Sequence, residues 1–188
     1  METSPAMRKM KINEIFYSIQ GEGRWAGTPM VFIRFAGCNL KCPFCDTIHE
    51  PFQEMSVADI LGRINCIPAE HVCITGGEPS LQLTDELIHY LHVQGRIIHV
   101  ETNGTRKLPL GIDWVTVSPK TEKIALTEAD EIKLVYEGQD VERWADFKAK
   151  YHYLQPCSCK NTTAVIDYVK SHPRWKISIQ TQKLLNFQ

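Results

Sequence analysis

Short apolar runs and apolar residues at helical spacing alternate along the chain. Residues 30–36, MVFIRFA, are β-rich and stop at Gly37, which predicts a buried strand ending in a loop. Behind Ser56, a good N-cap, Val57, Ile60, Leu61 and Ile64 share one face of a helix predicted over 56–65. HVCIT at 71–75 predicts a second strand ended by Gly76-Gly77-Glu78-Pro79, and residues 84–93 a helix closed by Gly95. Further strands are expected at 97–101, 114–118, 131–136, 151–155 and 175–180. Two more helices are expected, over 140–149 behind Asp140 and over 161–171 behind Asn161.

Strands alternating with helices favour a parallel α/β sheet or barrel. The gaps at 102–113 and 119–130 are too short and broken for full crossover helices, and a complete eight-unit barrel needs about 250 residues. The expectation is one domain over 1–188, an α/β fold built as a reduced, partly open parallel β/α barrel with about six core strands and few helices.

Composition narrows the function. With 43% hydrophobic and 23% charged residues the chain is an ordinary globular protein, not a disordered one. Lys and Arg total 21 against 22 acidic residues, so no positive field argues for nucleic acid or an anionic membrane, and a small molecule is the expected partner. No apolar run approaches the roughly 18 residues of a membrane span. The opening METSPAMRKMK lacks a signal peptide's apolar core, so a cytoplasmic protein is expected. In a reducing compartment, seven cysteines suggest metal or cluster ligation more than a disulfide framework.

Their spacing carries the chemistry. Cys38-Asn-Leu-Lys-Cys42-Pro-Phe-Cys45 puts three thiols on one loop, with no fourth cysteine nearby. Structural zinc sites and plain electron-transfer clusters use four protein ligands, whereas three cysteines on a four-iron cluster leave one iron open to a small molecule. A Cys₃His zinc site completed by His49 and a set of merely buried thiols are the alternatives. The spacing, with Phe44 before the last Cys, resembles the radical S-adenosylmethionine superfamily, as does the Gly76-Gly77-Glu78-Pro79 turn, where two glycines permit close backbone approach to a ligand. The resemblance implies a [4Fe–4S] cluster on Cys38, Cys42 and Cys45. It also implies S-adenosylmethionine chelated to the open iron and cleaved by one electron to a 5′-deoxyadenosyl radical.

Phe16-Tyr-Ser-Ile-Gln-Gly-Glu-Gly23, Phe32-Ile-Arg34 and Cys45-Asp46-Thr47 together resemble the 7-carboxy-7-deazaguanine synthase family, from about residue 12 onward. That family contracts the ring of 6-carboxytetrahydropterin with loss of ammonia, on the way to queuosine. Ile19, Gln20, Gly21 and Glu22 would then meet the pterin, the amide and carboxylate serving its aminopyrimidinone edge. Arg34, alone in an apolar strand, would take the substrate carboxylate bidentately, an internal salt bridge being the alternative. Thr47 would ligate a Mg²⁺ ion that also holds substrate oxygens. Thr75 would reach the substrate, while Phe44, Gly76, Gly77, Glu78, the Ser118-Pro119-Lys120 turn and Gln155 would line the cofactor. The resemblance further implies a homodimer and a flavodoxin- or ferredoxin-like electron donor.

In the closing segment Gln182 stands where the resembling family often has His, so an acid or base role there loses its proton carrier. The carboxylate of Gln188 is implied as a further substrate contact. Cys157 and Cys159 form a CxC pair too small for an auxiliary four-cysteine cluster, and are expected to be partly exposed. Cys66 and Cys73 sit among apolar residues and are expected in the core. Small activating enzymes that install a glycyl radical share the cysteine spacing and a reduced barrel. Gln20, Glu22, Arg34 and Thr47 favour a small substrate over such a protein partner.

Overall fold

The computed structural model describes residues 9–187, so Gln188, expected at the substrate, lies outside the described residues. In chain order the elements are β1 (Met10–Ile19), β2 (Pro29–Phe35), β3 (Gln53–Met55), α1 (Val57–Ile64), β4 (His71–Gly76), α2 (Asp85–Val93) and β5 (Ile97–Thr102). There follow β6 (Trp114–Val117), β7 (Glu128–Tyr136), β8 (Lys148–Pro156), α3 (Thr162–Ser171), β9 (Lys176–Ile177) and α4 (Thr181–Leu185). All strands join one sheet in the order β3-β1-β2-β4-β5-β6-β7-β8-β9. Neighbours from β2 to β9 are parallel, whereas β1 runs antiparallel to β2 and β3. The ends β3 and β9 do not pair with each other, so the sheet curves without closing. This is the partly open, few-helix architecture that the spacing predicts.

Alternation along each strand sorts the two faces. On β5, Ile98 and Val100 join an apolar cluster with Val31, Ile33, Val72 and Ile74 under Ile60 and Ile64 of α1 and Leu87 and Leu91 of α2. On β7, Ile132 and Leu134 join a second cluster with Val117, Leu154, Val165 of α3 and Trp175. The intervening residues, His99 and Glu101 on β5 and Glu131 and Lys133 on β7, face the other side, and the site is built there.

At the amino ends of the parallel strands this inner face is filled by Trp25, whose ring meets His99 and Trp114 edge-on at 5.1 and 5.5 Å. His71 Nδ1 and His99 Nε2 lie 2.8 Å apart. Burial, and after it the neighbouring His71, pulls His99 down to about 4, which favours its neutral ring. The polar residues nearer the carboxyl ends are left for ligands.

Helix α1 begins as expected. Ser56 Oγ accepts from Asp59 N while Asp59 Oδ2 accepts from Ser56 N at 2.8 Å, a closed capping box. The helix expected over 140–149 is instead a single 3₁₀ turn, Glu142–Trp144, followed by β8 from Lys148. Its residues alternate as KAKYHY, the strand period, and pair with β7. Asp140 caps only that turn, its Oδ1 accepting from Glu142 N at 3.0 Å. Asn161 precedes α3 but does not cap it. Its amide is spent on Cys157 N at 2.9 Å and Tyr136 O at 2.8 Å, tying the ends of β7 and β8 together. The strand expected over 175–180 keeps only Lys176–Ile177. Cys73 is buried as expected, whereas Cys66 is exposed, because Ile64 and Ile67 beside it take the inward positions.

Candidate active site

A cavity of about 760 Å³ opens at the carboxyl ends of β2, β4, β5, β6, β7 and β8. The cysteine loop forms one wall, with Cys38, Cys42 and Cys45 all bordering the cavity together with Phe44 and Thr47. Burial raises the Cys42 thiol and Cys38 and Cys45 raise it further, against the pull of Lys120. The three sulfurs thus feel one another. Among the described residues no three His, Cys, Asp or Glu side chains converge on one point as ligands of a single ion. A multi-iron cluster suits such a loop better, because each thiolate holds its own iron.

The Gly76-Gly77 turn packs directly on this loop. Gly77 N donates to Phe35 O at 2.8 Å and Glu78 N to Gly37 O at 2.9 Å. A Cβ on Gly77 would come within 1.9 Å of Gly37 O, and Gly76 has a φ of +113°. Only glycines fit this approach. Glu78 itself is fully buried and does not border the cavity. Its carboxylate accepts from Ser80 N at 3.0 Å, Thr102 Oγ1 at 2.6 Å and Asn103 N at 2.8 Å, so its side chain braces the turn against β5. Asn103 Nδ2 in turn donates to Asn39 Oδ1 at 3.0 Å, fixing the start of the cysteine loop.

Across the cavity, Ser118 and Lys120 border it while Pro119 is buried behind them. Lys120 Nζ donates to Ser118 Oγ at 2.6 Å and sits 5.6 Å from the centre of the Phe44 ring. Burial lowers its affinity for the proton, as does the charge of Lys133. Gln155 also borders the cavity, its Oε1 accepting from Ser178 Oγ at 2.9 Å. Three thiols, a glycine cradle that a Cβ would fill and a half-buried lysine suit a cluster and a cofactor that carries both a carboxylate and a sulfonium.

The opposite end is polar. Ile19, Gln20, Gly21, Glu22, Arg34, Thr75 and Gln182 all border the same cavity. Gln20 is held by the hairpin closure, its N donating to Thr28 O at 2.8 Å, and its side chain reaches Glu101 Oε1 at 3.2 Å. Glu22 Oε1 accepts from Gln180 Nε2 and Gln182 Nε2, each at 2.9 Å, and its Oε2 from Lys133 Nζ at 2.6 Å. Burial would raise this carboxyl, but Lys133 and the two amides outweigh it and hold it at about 2. Arg34 Nε donates to Glu14 Oε1 at 2.6 Å, so the internal ion pair is present while the guanidinium still borders the cavity. Thr75 Oγ1 donates to Glu101 Oε2 at 3.1 Å.

Two residues of this end lie outside the sequence-based set. Glu101 and Lys133 were hidden in strands whose apolar partners alone announce them, and the available signal was a charge at the inner position of an otherwise apolar alternation. Gln182 Oε1 is buried without a hydrogen-bond partner, and a Cβ on Gly21 would fall 1.9 Å from it. Cys157 borders the cavity and Cys159 is half-buried, in line with the expectation for the CxC pair.

Comparison with known proteins finds relatives over nearly the whole chain. The Radical SAM superfamily matches residues 32–124, which span the cysteine loop, the glycine turn and the Ser118-Pro119-Lys120 turn. A 7-carboxy-7-deazaguanine synthase from Bacteroides thetaiotaomicron is 54% identical over 179 residues, covering 95% of this chain and 98% of its own. Another from Burkholderia multivorans is 40% identical, with 93% and 97% covered. The crystal structure of QueE from Escherichia coli superposes with a TM-score of 0.79 at 30% identity, over 92% of this chain and 94% of that one. Identity of this extent along nearly the whole length, with a fold of the same kind and the Radical SAM match, shows that the chain belongs to the 7-carboxy-7-deazaguanine synthase family of radical S-adenosylmethionine enzymes.

Proposed function

We propose that this chain converts 6-carboxy-5,6,7,8-tetrahydropterin to 7-carboxy-7-deazaguanine with loss of ammonia, in 7-deazapurine biosynthesis. One observation carries the reading: a single cavity joins three cysteine thiols to a preorganised set of amide and carboxylate acceptors. Cys38, Cys42 and Cys45 would hold the [4Fe–4S] cluster, and Gly76, Gly77, Ser118, Lys120 and Gln155 the cofactor. When bound, cluster and S-adenosylmethionine would supply the carbon-centred radical that starts the ring contraction. The chain's own groups orient the substrate. Gln20 and Glu22 offer hydrogen-bonding groups to the aminopyrimidinone edge, and Arg34 offers the unpaired part of its fork to the carboxylate. Thr47 would join a Mg²⁺ ion to the substrate from the other wall.

A homodimer in the cytoplasm served by a flavodoxin- or ferredoxin-like donor completes the proposal. Among the described residues no helix is long and apolar enough to cross a membrane. The test is anaerobic reconstitution with iron and sulfide, then incubation with S-adenosylmethionine, a strong reductant and the pterin. A deazapurine of the expected mass supports the assignment, whereas 5′-deoxyadenosine without deazapurine overturns it. Chelation by EDTA followed by Mg²⁺ addition tests the cation, and turnover indifferent to both excludes it.

A further inference from the structure

The inner face of β7 carries a lysine that the proposed chemistry does not use. Lys133 is 4% exposed, between Ile132 and Leu134, which point into the core on the other side. Its Nζ lies 2.6 Å from Glu22 Oε2 and 3.5 Å from Glu101 Oε1. A lone buried ammonium would be driven toward neutrality, and a buried carboxylate likewise. Here the charges stabilise each other.

The charged groups around Lys133 come from several elements. Glu22 approaches from the β1–β2 loop, Glu101 from β5, Glu131 from β7 itself, and Lys120 from the turn after β6. Cys73 faces the group from β4, and Glu131 also acts on Tyr153 of β8. Three carboxylates thus share one close ammonium. Glu131, 1% exposed and pushed up to about 7 by burial against the pull of Lys133, relieves part of the surplus by holding a proton over part of the neutral range. The two carboxylates that contact the ammonium directly are Glu22 and Glu101.

Hydrogen-bond capacity then decides what this pair can do. An ionised carboxylate offers about four acceptor sites. Glu22 uses three, for Gln180, Gln182 and Lys133. Glu101 also uses three, for Gln20, Thr75 and the longer contact with Lys133. About one acceptor site is left on each, and both side chains border the cavity. Two anchored acceptors side by side match a ligand edge with two adjacent N–H donors.

We propose that Lys133 is a positioning residue: its ammonium locks Glu22 and Glu101 together as a pair of acceptors, with one open site each, for the donor-bearing nitrogen edge of the pterin. The inference rests on the proposed function, and it deepens it by assigning what selects the substrate's nitrogen end.

Lys133→Met keeps the length of the side chain and removes its charge. Pterin affinity, measured on the cluster-loaded protein by fluorescence titration, is expected to fall by about 30-fold or more, the scale of losing one partner of a buried charge pair. The loss relative to the parent should be greater at low pH, because carboxylates deprived of the ammonium take up protons more readily. Iron content and the far-UV spectrum are the controls for the fold. Lys133→Ala, titrated with and without propylammonium, is the second variant, since the amine fits the space the side chain leaves. Recovery with the amine and not with propanol supports the proposal. Parent-like affinity and a parent-like pH profile in Lys133→Met overturn it, as does equal rescue of Lys133→Ala by amine and alcohol. If instead the parent protein itself fails to bind the pterin, the proposed function falls, and the two failures are distinguished.

Discussion

At the scale of single residues, Arg34 separates a binding role from a structural one. Its Nε is committed to Glu14 at 2.6 Å, while the group borders the cavity. Arg34→Lys keeps a charge for Glu14 but loses the planar fork. Pterin binding is expected to weaken by about 1.5–3 kcal/mol, and a pterin lacking the carboxylate to be affected far less. Calorimetric titration of both ligands checks this, and equal weakening of the two would reduce Arg34 to an ion-pair partner. Glu131 gives a signed pH dependence. Burial pushes it from 4.5 up to about 7, against Lys133 and the Arg24 amide, so the folded state holds a proton that the unfolded state has released. Its contribution to stability is full below 4.5 and lost as pH rises through about 7, on the order of 3 kcal/mol in all. Glu131→Gln should flatten that part of the profile, and difference infrared spectra should lose a protonated-carboxyl band that titrates near neutrality. A band that persists in the variant would assign the proton elsewhere. The cysteine wall of the cavity was legible in the sequence because its signal is local, three thiols within eight residues. Glu101 and Lys133 were not, because each sits alone in its strand and acquires meaning only when β5 and β7 bring it to Glu22.

At the scale of elements, the signals that succeeded were periodic and locally capped. Helix α1 carries its apolar stripe and capping box within ten residues, and α2 its Thr84 cap and Gly95 stop. What failed was decided by distant partners. Residues 140–149 contain good helix formers, yet β7 offers a parallel edge and the strand period of 148–153 takes it. β1 shows no clear alternation because its register with β2 shifts between Ile12 and Glu14, which moves side chains between faces. The glycine turn after β4 was legible, and its reason is now geometric. Gly77→Ala would drive a Cβ within 1.9 Å of the Gly37 carbonyl, backbone that cannot swing aside without moving Cys38. The expected result is a protein that folds but binds S-adenosylmethionine poorly and loads iron incompletely. Gly95→Ala is the control, with φ at +73° but nothing within 4 Å of the added carbon, so its cost should be about 1–2 kcal/mol of stability with iron loading intact. If both variants load iron alike, the glycine turn does not shape the cluster loop.

At the scale of the whole molecule, an open sheet must still close its cavity, and here side chains and loops do so in place of strand pairing. Gly23 N donates to Ser178 Oγ at 3.0 Å, and Thr181 N and Oγ1 both reach Gly21 O, at 3.1 and 3.0 Å. The segment after β9 therefore fastens the β1–β2 loop, joining elements more than 150 residues apart. From α4, Lys183 Nζ adds contacts to Asp46 at 2.6 Å on the cysteine loop and to Ser158 Oγ at 3.2 Å on the CxC turn. That ion pair is half-exposed and is worth at most about 1 kcal/mol, so Lys183→Ala should bind the pterin nearly as the parent does. The backbone and amide contacts are different, because they set the position of Glu22. A chain ending at Gln180 keeps both apolar clusters and the cysteine loop, but loses the Thr181 and Gln182 bonds to Gly21 and Glu22. Its iron content should match the parent, its pterin affinity should fall about tenfold or more, and exchange of the Gly21 and Gly23 amides should accelerate. Parent-like affinity in the shortened chain would show that the β1–β2 loop holds its own shape, and that the clasp across the open sheet contributes nothing to substrate binding.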